Sequence, residues 1–188
     1  MFLVKTNKNH FTCCYYDDPN SIPHYHHYLH YYIKIKIKTS NNTEILSDGY
    51  KLYDPRTIKK FNINIDNKYI ADASYYGYVH MLEYIKHFNL FQEYNEDAIY
   101  TASCHGHIAV LEWWKRSGLE LKYDEHALNW ASMEGQVAVL EWWKNSELFL
   151  KYTESALDGA SHKGHIAVLE WWKNSGLELK YHKFYESV

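Results

Sequence analysis

Cysteine is scarce in this 188-residue chain: there are three, Cys13, Cys14 and Cys104. Adjacent cysteines such as Cys13 and Cys14 rarely bridge each other, and an odd number builds no disulfide framework. A small cystine-stapled fold is therefore excluded, and a reducing compartment fits. Long apolar runs are missing too. No stretch approaches the roughly 18–20 residues that a bilayer span needs. The opening Met1-Phe2-Leu3-Val4 is broken by Lys5, so no secretory core is expected there. The expectation is a soluble, intracellular chain, cytoplasmic by default, with no membrane partner. Nor is there a surplus of one charge, the formal net charge being −3. Residues 1–65 carry +4 and residues 66–188 carry −7, and that acidic balance argues against a phosphate-binding groove and a nucleic-acid partner. Finally, no Gly-rich phosphate loop, Ser/His/Asp or Cys/His constellation or paired-carboxylate site has interpretable spacing. The expectation is a non-enzymatic protein without a cofactor.

What the chain does have is a period. Gly77, Gly106, Gly135 and Gly164 recur every 29 residues, as do Glu83, Glu112, Glu141 and Glu170, and Lys86, Lys115, Lys144 and Lys173. A fixed period of this size is the signature of stacked units, each burying its apolar face on its neighbours. The reading is mainly α: about four helix-pair repeats at 66–94, 95–123, 124–152 and 153–181, within an array spanning 61–181. A segment at 1–60 precedes it and a short tail at 182–188 follows it.

Within a unit, Asp66, Asn95, Asp124 and Thr153 are suited to cap the first helix. The residue before each cap (Ile65, Tyr94, Tyr123, Tyr152) and the one five positions on (Ile70, Ile99, Leu128, Leu157) form a hydrophobic staple. Alanine pairs such as Ala127 and Ala131 allow close helix approach, and the recurrent glycine turns the chain. The second helix carries the wide apolar stripe Val137, Val139, Leu140, Trp142 and Trp143. Trp114, Trp143 and Trp172 share their position with Ile85 and read as core; Trp113, Trp142 and Trp171 share theirs with Tyr84 and read as half-exposed. His107 and His165 alternate with Tyr78 and Gln136 and read as structural. The helix ends at Asn89, Gly118, Glu147 or Gly176. Glu147 is a poor left-handed cap, so the third unit is expected to end differently.

The motif Ala-Ser-x-x-Gly-His-Ile-Ala-Val-Leu-Glu-Trp-Trp-Lys-x-Ser-Gly-Leu, at 102–119 and 160–177 with variants at 73–90 and 131–148, resembles the second half of an ankyrin repeat. The 29-residue, Trp-rich form is similar to divergent ankyrin-like arrays of giant DNA viruses. The resemblance covers about 66–181. It departs from the family at the first helix, where Thr-Pro-Leu-His is replaced by sequences such as His126-Ala127-Leu128-Asn129, and in its shorter connecting loops. It implies an α-solenoid whose first helices line a concave recognition face, and a viral protein acting on host proteins.

Positions that agree between units hold the stack together, and those that vary are free to meet a partner. On or beside the first helix the variable set includes Tyr100, His105, His126, Asn129, Trp130, Met133, Asp158 and His162, with Tyr75 and Tyr76 in the first unit. Tyr, Trp, Met and His are residue types that dominate interfaces. Trp130 stands out because Asp72, Thr101 and Gly159 hold its place elsewhere. The expected partner is another protein.

The N-terminal segment lacks the period. Ile33-Lys34-Ile35-Lys36-Ile37-Lys38 alternates as a half-buried strand does. Asn41-Asn42 suits a turn, and 43–46 a returning strand. Lysine-lined strands are typical of protected sheet edges, so a small β-containing cap with an edge at 33–38 is expected. His24, His26, His27 and His30 are the one cluster with metal chemistry, as a helix face (His26, His30) or a strand face (His24, His26), with His10, Cys13 or Cys14 as a third ligand. That metal site, with the repeats as mere support, is the rival reading; a degenerate paralogue with no partner is another. Tyr181 begins a fifth unit in which His182 replaces the cap. The last helix pair is expected to expose an apolar side through which the chain could self-associate.

Overall fold

The computed structural model describes residues 2–6, 9–15, 32–38, 44–46, 50–91 and 93–181, with side chains from Tyr50 onward. The chain divides into two compact units, 1–64 and 65–188.

In the first unit the strands β1 (Phe2–Thr6), β2 (Asn9–Tyr15), β3 (Tyr32–Lys38), β4 (Glu44–Leu46) and β5 (Tyr50–Lys51) pair antiparallel. β1 pairs with β2 and β2 with β3, and β3 also receives β4 and β5. The alternating run is thus a strand and 44–46 returns beside it, Lys36 opposite Leu46 and Lys38 opposite Glu44. The expectation of a sheet edge is corrected: β3 pairs on both sides, with Cys13 opposite Ile35 and Ile33 opposite Tyr50. A helix, α1 (Pro55–Phe61), follows. Asp54 accepts from the Arg56 backbone N–H, Pro55 suits the first turn, and Asn62 ends it in the left-handed conformation. This helix carries the first unit to residue 64.

Residues 65–181 are helical and repeat. The first helices are α2 (Asn67–Tyr75), α4 (Asp97–Cys104), α6 (His126–Met133) and α8 (Ser155–His162). The second helices are α3 (Val79–His87), α5 (Ile108–Arg116), α7 (Val137–Asn145) and α9 (Ile166–Asn174). Each helix packs on its counterpart in the next pair. Asp66 caps α2 as read, accepting from Tyr69 N–H, while Asn95, Asp124 and Thr153 stand one residue before the caps Glu96, Glu125 and Glu154 and accept from the N–H two residues on, that of the first helical residue. The alanines of the first helices are buried, as are Ile70, Ile99, Leu128 and Leu157. Small side chains there let neighbouring first helices approach closely. Trp114, Trp143 and Trp172 are fully buried. Each removes roughly 200 Å² of ring from water, about 5 kcal/mol before ordering costs.

Glu147 corrects another expectation. It adopts φ +62°, as Asn89 (+52°), Gly118 (+75°) and Gly176 (+76°) do, so the third unit ends like the others. The serine before it enforces this. Ser146 Oγ donates to Trp143 O at 2.6 Å and accepts from Leu148 N–H at 3.2 Å, and Ser117 and Ser175 do the same.

A set of polar bonds repeats at every junction. The buried indole N–H groups of Trp114, Trp143 and Trp172 donate to Ser74, Ser103 and Ser132 of the preceding pair at 3.4, 3.1 and 3.0 Å. Those of Trp113, Trp142 and Trp171 donate to Glu83, Glu112 and Glu141 at 2.6, 2.9 and 2.7 Å. Tyr94, Tyr123 and Tyr152 lie tilted against the buried Trp of the next pair, with centroids 5.1, 5.0 and 4.7 Å apart. Their hydroxyls donate to the carbonyls of Glu120, Phe149 and Glu178. Lys122, Lys151 and Lys180 donate back to the tyrosine carbonyls and lie over their rings. The buried indoles are therefore satisfied across units, which fixes the register of one pair on the next.

Candidate functional site

The first helices of consecutive pairs lie side by side, so their variable positions form one strip. Between the first two pairs, Tyr75 and His105 rings are 3.8 Å apart, and His105 Nδ1 is 3.0 Å from Thr101 O. Tyr75 also meets Tyr76 edge-on at 4.7 Å. Between the second and third pairs, Tyr100 meets Trp130 edge-on at 5.8 Å and reaches His126 at 6.5 Å. These rings are half-buried and His126 is exposed. Between the third and fourth, Met133 rests on Gly159, whose missing Cβ would lie 2.9 Å from the Met133 methyl. That contact is why a glycine is accepted inside α8. Lys163 and Glu134 close the row with a 2.5 Å ion pair.

The seven tryptophans separate into two kinds. Six donate their indole N–H across a junction, as described above. Among the described residues Trp130 alone has no acceptor within hydrogen-bond reach, and its ring is half-exposed beside Tyr100. It joins a polar N–H open to solvent to an apolar ring.

The electrostatics of the strip follow from its partners. His126 Nδ1 lies 2.9 Å from Asp124, and that hydrogen bond holds the imidazole pKa above its ordinary value. Tyr100 is raised by burial first, then by Cys104, Asp97 and Glu134. Cys104 beneath it is buried and its thiol is pushed up to about 11 by burial, with Glu134 adding to the effect. A neutral thiol of that kind is a poor nucleophile.

Seven of the eight sequence-derived residues lie at the surface of this strip, His162 being exposed and Asp158 half-buried. Asn129 does not. It is buried, donating from Nδ2 to Thr153 Oγ1 at 2.9 Å while Oδ1 accepts from Thr153 N–H at 3.0 Å. Both ends of the amide hold the next cap, so Asn129 varies in sequence for a structural reason. His107 fits its structural reading, its Nε2 2.7 Å from Tyr75 O. Tyr75 was legible only as a variable residue; its contact with His105 crosses 30 positions and has no local signal.

On the second-helix side, a groove of about 350 Å³ lies between α7 and α9, lined among others by Glu141, Lys144, Glu170 and Trp171. Glu141 there is already committed to Trp171 and Asn145, which hold its carboxyl below the usual range. The histidine cluster at His24, His26, His27 and His30 lies outside the described residues. Among the described residues no three His, Cys, Asp or Glu side chains gather as metal ligands, and no helix is long and apolar enough to cross a membrane. Compared with protein-family models, curated proteins and solved structures, the chain matches none.

Proposed function

We propose that residues 65–181 are an ankyrin-like solenoid that binds another protein through its first-helix face, without catalysis. The observation that carries this reading is the indole of Trp130. Every other indole N–H is spent on holding the stack together, whereas this one is open, and its ring lies against Tyr100, which also reaches His126. Large rings with a polar edge supply contact area at low entropy cost, which is why they dominate interfaces. A partner with an apolar knob and an acceptor for the indole N–H fits this surface. The repeat pattern and its 29-residue period support the ankyrin-like reading, and with it a viral protein directed at host proteins.

The test is recovery of a partner by cross-linking and pull-down from cells of the natural source, with wild type compared against Trp130→Ala and Tyr100→Ala. Loss of one specific protein, with the melting curve unchanged, is the expected result. Truncating a central aromatic anchor costs about 2 kcal/mol or more of binding, roughly thirtyfold in Kd. Equal recovery by both variants would remove the strip as the binding face.

A further inference from the structure

We infer that the segment received by the first-helix face is basic, and that an arginine side chain in it seats against Tyr100 and Trp130. This rests on that face being the binding face, and adds the chemistry of its occupant. The first observation is how charge divides between the two layers of helices. The stretches holding the first helices of the three tryptophan-bearing pairs, 95–107, 124–136 and 153–165, contain seven Asp/Glu against a single Lys/Arg. The stretches holding their second helices, 108–123, 137–152 and 166–181, contain six against seven. The acidity of these pairs therefore lies in the layer that carries the aromatic strip. Its one lysine, Lys163, is already paired with Glu134, and His126 is held by Asp124.

The second observation is what the two rings leave unused. Inside the stack, Lys122, Lys151 and Lys180 stand over Tyr94, Tyr123 and Tyr152, 5.0, 4.6 and 4.4 Å from the ring centroids. Among the described residues no cation stands over Tyr100 or Trp130, and neither the Tyr100 hydroxyl nor the Trp130 N–H has a hydrogen-bond partner. The two half-buried rings are inclined at 61°, so they present surfaces in two directions at one place. Asp97, one turn before Tyr100 on α4, is exposed and takes one bond, from Asn95 Nδ2 at 3.0 Å; among the described residues its other oxygen accepts nothing. A guanidinium suits this setting. Its flat face stacks on a ring while its edge donates to a carboxylate, and it sheds water more readily than an ammonium. The apolar knob is then the arginine's stem and flat face, and the open hydroxyl and indole N–H remain for carbonyls of the segment's backbone. A wholly apolar occupant would instead cover carboxylates without pairing them, which is costly.

The probe is fluorescein-labelled hexa-arginine, titrated into the full chain by fluorescence anisotropy beside labelled hexa-glutamate. Saturable binding of the arginine peptide alone is expected. Trp130→Ala leaves the net charge as it is and should weaken that binding roughly tenfold, whereas Trp130→Phe, which keeps a ring face, should weaken it less. Asp97→Asn should weaken it about threefold, and the melting curves of all three variants should match wild type. Equal binding of hexa-arginine by wild type and Trp130→Ala would mean attraction to charge alone and overturns the inference. So does absence of binding, or equal binding of hexa-glutamate. If a cellular partner is lost by the Trp130 and Tyr100 variants while hexa-arginine does not bind, the face stands and its basic occupant falls. Equal recovery of partners by those variants strikes the face itself.

Discussion

Glu147 occupies a left-handed position at φ +62° where two of its counterparts are glycine. A side chain there pays a steric penalty of about 1 kcal/mol or more, while glycine at the same place loses extra chain entropy on folding. The first effect is larger at a position already fixed by Ser146. Glu147→Gly should therefore raise stability by roughly 0.5–1 kcal/mol, read as a shift in the urea midpoint with an unchanged slope. Gly106 is a different case. Its positive φ of +76° is matched by the side-chain oxygen of Gln136 lying 2.7 Å from where a Cβ would sit. There the glycine serves both the turn and the next unit, and that second role is invisible in one unit's sequence. Asn129 teaches the same lesson. Its variation between copies suggested a surface residue, yet its partner Thr153 lies 24 positions away.

At the level of the helix, the two tryptophans of α7 are neighbours with unequal duties. Trp143 is buried and donates to Ser103; Trp142 is half-exposed and donates to Glu112. Trp143→Ala should cost about 3–5 kcal/mol by cavity formation, and Trp142→Ala about 1 kcal/mol, measured by chemical denaturation. Similar losses from the two would mean that the second-helix layer is not packed as described. Much of this element was legible beforehand. The caps, the alanine faces, the buried tryptophan and the strand at 33–38 all follow from local periodicity and local chemistry. The helix α1 was missed because the roughly two turns of Pro-Arg-Thr-Ile-Lys-Lys-Phe carry too few periods to register. The position of β3 inside its sheet was missed because pairing depends on strands far off in sequence. The strip of variable residues was legible as a list of positions, but its ring contacts were not, since each joins different units.

Across the molecule, stability is the sum of unit and junction terms, so one weakened junction is felt by the whole stack. His107 belongs to the first such junction. Burial holds its pKa below the ordinary value of 6.5, with His105 adding to the effect and the bond to Tyr75 O opposing it. The folded state therefore binds fewer protons than the unfolded state. Its contribution is complete above pH 6.5 and is lost as the pH falls through the lowered folded value. His126 works oppositely, its raised pKa favouring the folded state below 6.5, but its exposure to solvent makes that effect small. Thermal stability should fall between pH 7 and pH 5, and His107→Gln should remove much of that fall. Gln136 already fills the equivalent place at the next junction, with its amide on Cys104 O at 3.3 Å. An unchanged pH profile in that variant would assign the effect to other groups.

The junction bonds join residues 26, 28, 30 and 40 positions apart, and each spans a single boundary between neighbouring pairs. Duplicating or excising one whole unit therefore restores the same set of bonds at the seam. Removing one residue displaces every partner at that seam together. In-frame recombination between copies is consequently tolerated where a short indel is not, and copy number becomes the dimension along which such a gene can change without relearning how to fold.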